Sequence, residues 1–229
     1  MTTTQLSVAG AALPRTTVAR ERTATALALL LLLAGCTTIK RCSYEGFGRD
    51  ESQKPEEVVE TLDIEPGDQV ADLGSGSGYF TFRLADAVGS SGKVYAVEVD
   101  ESMNEYLAGL VKERGAENVQ IVLASPDDPR LPEESIDLLF TSNTFHHIED
   151  RPAYFRRVKR VLAPGGRVAI IDYREDAGWF VSLFGHGTSP DVIEREMKEA
   201  GYEVVARPDI LEEQTFLVFA PRDGGTEDG

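Results

Sequence analysis

Cysteine is nearly absent from this 229-residue chain, which holds only Cys36 and Cys42. A disulfide framework and a cysteine-rich zinc site are thereby excluded. Histidine is as scarce: His146, His147 and His186 are too few and too scattered for a metal centre, so no metal is expected. Basic residues are also short, with 23 Lys plus Arg against 39 acids and a net charge of −16. Residues 1–35 contain three Arg and one Glu, so the remainder carries 20 against 38, or −18. A surface this acidic repels phosphate backbones, which excludes nucleic acid as the main partner. A membrane-spanning helix needs roughly 20 apolar residues, and the leucine-rich run at 24–35 has twelve.

That run has instead the layout of a secretory signal over residues 1–35. Arg15, Arg20 and Arg22 precede it, six leucines fill it, and small residues end it. Leu33-Ala34-Gly35-Cys36 resembles the lipobox of bacterial lipoproteins residue for residue. The resemblance implies cleavage before Cys36, lipid on Cys36, and a membrane-anchored protein of the bacterial cell envelope; a chain whose signal is not used stays in the cytoplasm. Several acyl chains on one residue hold a protein on a membrane far better than one. Residues 36–54 are polar, carry Gly46 and Gly48 and show no period, so they read as a linker that closes over a site, with Tyr44 and Phe47 as candidate lid aromatics.

Residues 55–221 read as the folded domain and 222–229 as a flexible tail. Proline and glutamates open a helix over 55–62. A strand over 69–73, a helix over 79–88 with Phe80, Leu84 and Val88 on one face, and a strand over 93–99 follow. Asp100 is placed to cap a helix over 101–114, whose stripe is Met103, Leu107, Leu110 and Val111. Further strands read at 119–123, 136–140 and 167–172. A helix containing Tyr154, Phe155, Val158 and Leu162 stops at the turn Ala163-Pro164-Gly165-Gly166. A helix over 189–200 leads to strands at 202–206 and 215–220. The gap between those two is too short for a helical crossover, so they pair antiparallel. The fold class is therefore α/β: a Rossmann-like, doubly wound sheet of seven strands, mostly parallel, with an antiparallel C-terminal hairpin. Its ligand lies outside the carboxyl ends of the strands.

One stretch organises that edge. An apolar strand reaches Asp72, and Gly74, Gly76 and Gly78 follow at alternate positions before a helix begins. Glycine is needed where the chain turns sharply or a ligand packs on the backbone. The exposed N–H groups of a helix start then favour an anionic group. Glu98 stands at the end of the next strand, 24 residues beyond Gly74, where an acid accepts both ribose hydroxyls of an adenosine ligand.

In this order and at these spacings the motifs resemble the class I S-adenosylmethionine-dependent methyltransferases, from about residue 54 to 221. The segment from Val70 to Gly78 resembles their first motif, Val97-Glu98 their second-strand acid, and Ser135-Ile136-Asp137-Leu138-Leu139 their fourth strand. Phe145-His146-His147-Ile148 and Val161-Leu162-Ala163-Pro164-Gly165-Gly166-Arg167 resemble the ubiquinone-biosynthesis-like, or type 11, branch. A nicotinamide dehydrogenase would want glycine at position 79, where Tyr79 stands.

The resemblance implies S-adenosyl-L-methionine as cofactor, and a sulfonium suits an acidic protein. Gly74, Ser75, Gly76 and Gly78 would pass beneath its methionine portion, Asp72 would orient its amino group and Glu98 would hold the ribose. Val99 would lie against the adenine, and Asn143 would border the methionine end. After the third strand the family often carries an acid for the adenine amino group; here that place is Ser125, and Asp127 or a backbone group is offered instead. Transfer from a sulfonium is an in-line displacement dominated by alignment, with a base needed only where the acceptor loses a proton. His146, ahead of His147, is the candidate base, since an imidazole with an ordinary pKa near ~6.5 suits the task. His186 and Tyr173 are candidate contacts for a small-molecule or lipid-like acceptor. The alternative is a non-catalytic membrane-anchored lipoprotein that keeps the fold for ligand binding or as a scaffold, because the donor is made in the cytoplasm while the signal implies export.

Overall fold

Seven strands form one sheet in the order β3-β2-β1-β4-β5-β7-β6. They are β1 (Gln69–Leu73), β2 (Lys93–Glu98), β3 (Val119–Leu123), β4 (Ile136–Ser142), β5 (Leu162–Tyr173), β6 (Tyr202–Ala206) and β7 (Gln214–Pro221). Among the described residues the helices are α1 (Arg49–Gln53), α2 (Pro55–Thr61), α3 (Thr81–Val88), α4 (Glu101–Arg114), α5 (Arg151–Val158) and α6 (Pro190–Glu199), with a 3-10 turn at Phe145–His147. This computed structural model describes residues 49–175, 177 and 187–222, all within one compact unit, Tyr44–Gly229. The expectations for residues 1–35, Cys36, Tyr44, Phe47, His186 and most of the tail lie outside the described residues.

Strands β3, β2, β1, β4 and β5 are mutually parallel, while β7 runs antiparallel between β5 and β6. The short connection before β7 thus produces the terminal hairpin that it dictates. β1 is buried along nearly its whole length, as a central strand covered on both faces must be. One face carries a layer built on Leu139, Phe145, Phe155, Ile170, Met197 and Tyr202; the other packs Val58, Leu84, Val88, Phe140 and Phe216. Order reverses between β1 and β4, which opens a crevice above their carboxyl ends.

Three local features differ from the sequence expectation, each for a physical reason. The end of the expected linker is helical, because Arg49–Gln53 packs through Gln53, which is 4% exposed. Leu162 belongs to β5 and not to the preceding helix, which ends at Val158. Pairing moves from Ile136↔Leu162 to Leu138↔Arg167, so Ala163-Pro164-Gly165-Gly166 is accommodated as an irregularity inside the strand. Leu110 and Val111 are only half-buried, because α4 lies over β2 and β3, and among the described residues no strand extends the sheet beyond β3. Asp100 does cap α4, accepting from the N–H of Ser102 at 2.9 Å and of Met103 at 3.3 Å.

Candidate functional site

β1 delivers Asp72 to the crevice. It is 3% exposed, and its Oδ2 accepts the Thr81 hydroxyl at 2.6 Å. Burial pushes its carboxyl up to about 6, while the Thr81 hydroxyl and the Arg49 guanidinium pull it down. The loop beyond it takes left-handed conformations at Gly74 (φ 79°), Gly76 (φ 50°) and Gly78 (φ 83°), where a side chain is strained. Two of these glycines are also hemmed in: a Cβ at Gly74 would collide with the Thr144 side chain, and one at Gly78 would lie 2.5 Å from Leu107 Cδ1. The N–H groups of Gly74 and Ser75 both point to the Val97 carbonyl, at 2.8 and 3.2 Å, and tie the loop to the end of β2.

Glu98 closes the loop from the β2 side. Its Oε2 accepts the Gly76 N–H at 3.1 Å, and its Oε1 accepts the N–H groups of Val99 and Asp100 at 2.7 and 3.0 Å. Val99 is 55% exposed, and Leu123, which pairs with Glu98 in the ladder, is 43% exposed. Exposed apolar side chains thus stand at the ends of β2 and β3 near the Glu98 carboxylate, chemistry suited to a purine and its ribose.

Ser125 and Asp127 share a tight turn just after β3. Ser125 and Asp128 exchange backbone hydrogen bonds at 3.0 and 3.1 Å, and the Ser125 hydroxyl donates to Asp127 Oδ1 at 2.9 Å. The Asp127 side chain is 77% exposed and pairs with Arg157 of α5. Its carboxyl sits below the usual range, held there first by the Ser125 hydroxyl.

On the β4 and β5 side, Asn143 has φ 55°, donates its N–H to the Ile171 carbonyl at 2.8 Å, and accepts from Gln214 Nε2 at 2.8 Å. Three residues on, His146 Nδ1 lies 2.7 Å from Oδ1 of Asp172, a carboxylate with no exposed surface. The Thr188 hydroxyl donates to the other oxygen at 3.0 Å, and the Tyr173 N–H donates to Oδ1 at 3.2 Å. His147 is exposed, with its ring centroid 4.1 Å from that of His146. Tyr173 is half-buried and stands opposite Gln214 in the β5–β7 ladder. Among the described residues no group of three His, Cys, Asp or Glu is arranged to hold a metal ion.

α1 covers the Tyr79 end of the loop. Asp50 Oδ1 accepts the Tyr79 hydroxyl at 2.6 Å, and the Arg49 guanidinium lies 3.7 Å from the ring centroid. Burial, and after it that bond, raise the Tyr79 hydroxyl above its ordinary range.

The sequence pattern of a family described as "Methyltransferase domain" matches residues 64–215, from the turn before β1 into β7. The chain belongs to the methyltransferase domain family. Relatives of this methyltransferase domain include phosphoethanolamine N-methyltransferase 3 of Arabidopsis thaliana, 34% identical over 144 residues, covering 61% of this chain and 28% of that one. An arsenite methyltransferase of Halobacterium salinarum is 28% identical over 172 residues, covering 71% and 41%. The ubiquinone/menaquinone biosynthesis C-methyltransferase UbiE of Shewanella oneidensis is 28% identical over 117 residues, covering 51% and 47%. The chain thus spans less than half the length of each of these relatives. Among solved structures, a SAM dependent methyltransferase from Aquifex aeolicus superposes with a TM-score of 0.73 at 26% identity, over 77% of this chain and 94% of that one. S-adenosylmethionine is the cofactor of this class. The glycine conformations, the Glu98 carboxylate and the exposed Val99 and Leu123 side chains fit it.

Asp72, Gly74, Ser75, Gly76, Gly78, Glu98 and Val99 come together at one edge, with Asn143 just past β4, His146 on the 3-10 turn and Tyr173 at the end of β5. Sequence reasoning missed Thr81 as the partner of Asp72, Thr144 beneath Gly74, and Thr188 behind Asp172. A hydroxyl residue is too common for its position alone to reveal such a role.

Proposed function

We propose that the chain transfers a methyl group from S-adenosyl-L-methionine to a small-molecule or lipid-like acceptor that loses a proton as it reacts, with His146 as the base. The observation that carries the reading is the 2.7 Å contact from His146 Nδ1 to the fully buried Asp172. A carboxylate there accepts the Nδ1 hydrogen, which fixes the tautomer with the lone pair on Nε2 and steadies the imidazolium once a proton arrives. Thr188 and the Tyr173 N–H hold the carboxylate in turn.

The cofactor supplies an activated methyl on a sulfonium. Asp72 places negative charge beside its methionine end, the glycine loop allows backbone approach, and Glu98 accepts its ribose hydroxyls by exchanging them for the Gly76 N–H. An amine, phenol or enol acceptor gives its proton to His146 Nε2 as its lone pair becomes the nucleophile. Two relatives are named for phosphoethanolamine and arsenite, both small, which supports a small acceptor here. The test follows label from methyl-tritiated S-adenosylmethionine into these acceptors. Cofactor binding with transfer that falls at least a hundredfold in His146→Ala supports the reading, and full transfer by that variant contradicts the base.

A second reading, a membrane-anchored lipoprotein that keeps the fold without turnover, is favoured by the Leu33-Ala34-Gly35-Cys36 sequence. Calorimetry separates the two, because a scaffold that has lost its donor shows no heat with S-adenosylmethionine.

A further inference from the structure

The site has two halves. Asp72, the glycine loop and Glu98 stand on β1 and β2, while His146 and Asp172 belong to the 3-10 turn after β4 and to β5. The turn that carries His146 is fastened to its own half at several points. The Asn143 N–H donates to the Ile171 carbonyl at 2.8 Å, Gln214 Nε2 donates to Asn143 Oδ1 at 2.8 Å, and the buried Phe145 ring stacks on Phe155 with centroids 5.6 Å apart.

Thr144 reaches the other way. The turn starts from it, and its carbonyl accepts the His147 N–H at 2.9 Å. Its side chain fills the place where Gly74 would carry a Cβ: Cγ2 is 2.6 Å and Cβ 2.8 Å from that point, and Oγ1 also lies against it. The Thr144 hydroxyl donates to the Ser142 carbonyl at 3.3 Å, and the Gly74 N–H is held by the Val97 carbonyl at 2.8 Å. A line of contacts therefore runs from the end of β2 through Gly74 and Thr144 to the turn, and from His146 to Asp172.

Transfer in line needs the two halves in register, and a misplacement of about 1 Å costs about 10²-fold in rate. The loop half positions the methyl donor and the turn half positions the base. Where the halves touch, one partner is bare backbone and the other is β-branched, with few χ1 choices. Such a contact passes a displacement on instead of absorbing it.

We propose that Thr144 is a positioning residue, wedged on the Gly74 backbone so that it sets the separation of the cofactor loop from His146, and that ordering of the loop by cofactor steadies the base through it. The inference rests on the methyltransferase reading and extends it to the residue that joins the donor half of the site to the base half.

The test needs no methyl acceptor. Proton NMR of protein labelled with nitrogen-15 histidine follows solvent exchange of the His146 Nδ1 hydrogen, and with three histidines in the chain His147→Gln and His186→Gln assign the signal. Calorimetry gives the affinity for S-adenosylhomocysteine. Saturating S-adenosylhomocysteine should slow the exchange about tenfold or more in the wild-type protein. Thr144→Ala removes both γ atoms; it should bind within about fivefold of wild type yet slow the exchange less than about threefold. Thr144→Val keeps two γ atoms and loses the bond to the Ser142 carbonyl, so it should restore the slowing. If the alanine variant does not fold, Thr144→Ser, which lacks Cγ2, replaces it with the same expectation. Wild-type slowing in the shortened variant overturns the inference, as does wild-type protein whose exchange does not respond to the bound compound. A shortened variant that loses more than about fivefold in affinity also overturns it by making Thr144 a binding residue. A valine variant that behaves like alanine assigns the effect to the hydroxyl and overturns the wedge. Wild-type protein that does not bind S-adenosylhomocysteine overturns the methyltransferase reading itself.

Discussion

Asp172 and His146 meet across 26 residues of sequence, Oδ1 to Nδ1, at 2.7 Å, with the carboxylate fully buried. A buried carboxylate is costly unless its oxygens are satisfied, and this one has three donors from His146, Thr188 and the Tyr173 backbone. The pair is thus a positioned imidazole.

Asp172→Asn tests that relationship. A carboxamide fits the space but no longer steadies an imidazolium. Transfer is expected to fall by roughly 10²–10⁴-fold, with cofactor affinity within about twofold of wild type. Unchanged kcat across pH 6–9 would show that the pair only packs.

Asp72 links function to stability through its proton. Its carboxyl is raised from 3.8 to about 6 in the folded protein, so the native state binds that proton more tightly than the unfolded chain does. The stabilisation is complete below the unfolded value and is lost as pH rises from about 4 through about 6. Above that range the charged carboxylate weakens the protein without cofactor. Asp72→Asn should therefore melt higher at pH 8, by about 1–3 kcal/mol of stability, and show no such gain at pH 4. The same variant should bind S-adenosylmethionine at least tenfold more weakly, and wild-type affinity should fall below pH 6. A variant that is destabilised equally at both pH values contradicts this account.

Gly74 and Gly115 form a controlled pair. Both have positive φ, 79° and 65°, but a Cβ meets nothing within 4 Å at Gly115 and collides with Thr144 at Gly74. Gly115→Ala should cost about 1 kcal/mol, the strain of a left-handed alanine. Gly74→Ala should cost at least twice that and remove cofactor binding. Equal melting temperatures for the two variants would mean that the loop gives way freely.

Cys36 is tested by mass rather than activity. Intact mass of the protein from bacterial membranes should show an N-terminus at Cys36 carrying acyl chains. An unmodified N-terminus ahead of Cys36 excludes the anchor and removes the support for a scaffold role.

Much of this was legible in the sequence because it is local. Apolar strands, caps and the glycine spacing act within a few residues, so β1, the Asp100 cap and the Gly74–Gly78 loop appear where the pattern places them. What escaped depends on partners far along the chain. Leu162 reads as the last turn of a helix until Ile136 pairs with it. Asp127 reads as a free acid until Arg157, thirty residues on, takes it. Asp172 reads as a strand-end residue, and nothing near it in sequence reveals His146.

The central claim is that this edge binds S-adenosylmethionine, and one titration tests it directly. Isothermal calorimetry of the protein with S-adenosylmethionine at pH 7.5 should give one site per chain, with Kd in the range of roughly 1–100 μM. Glu98→Ala should abolish that heat. Absence of binding by the wild-type protein at millimolar cofactor would contradict the account.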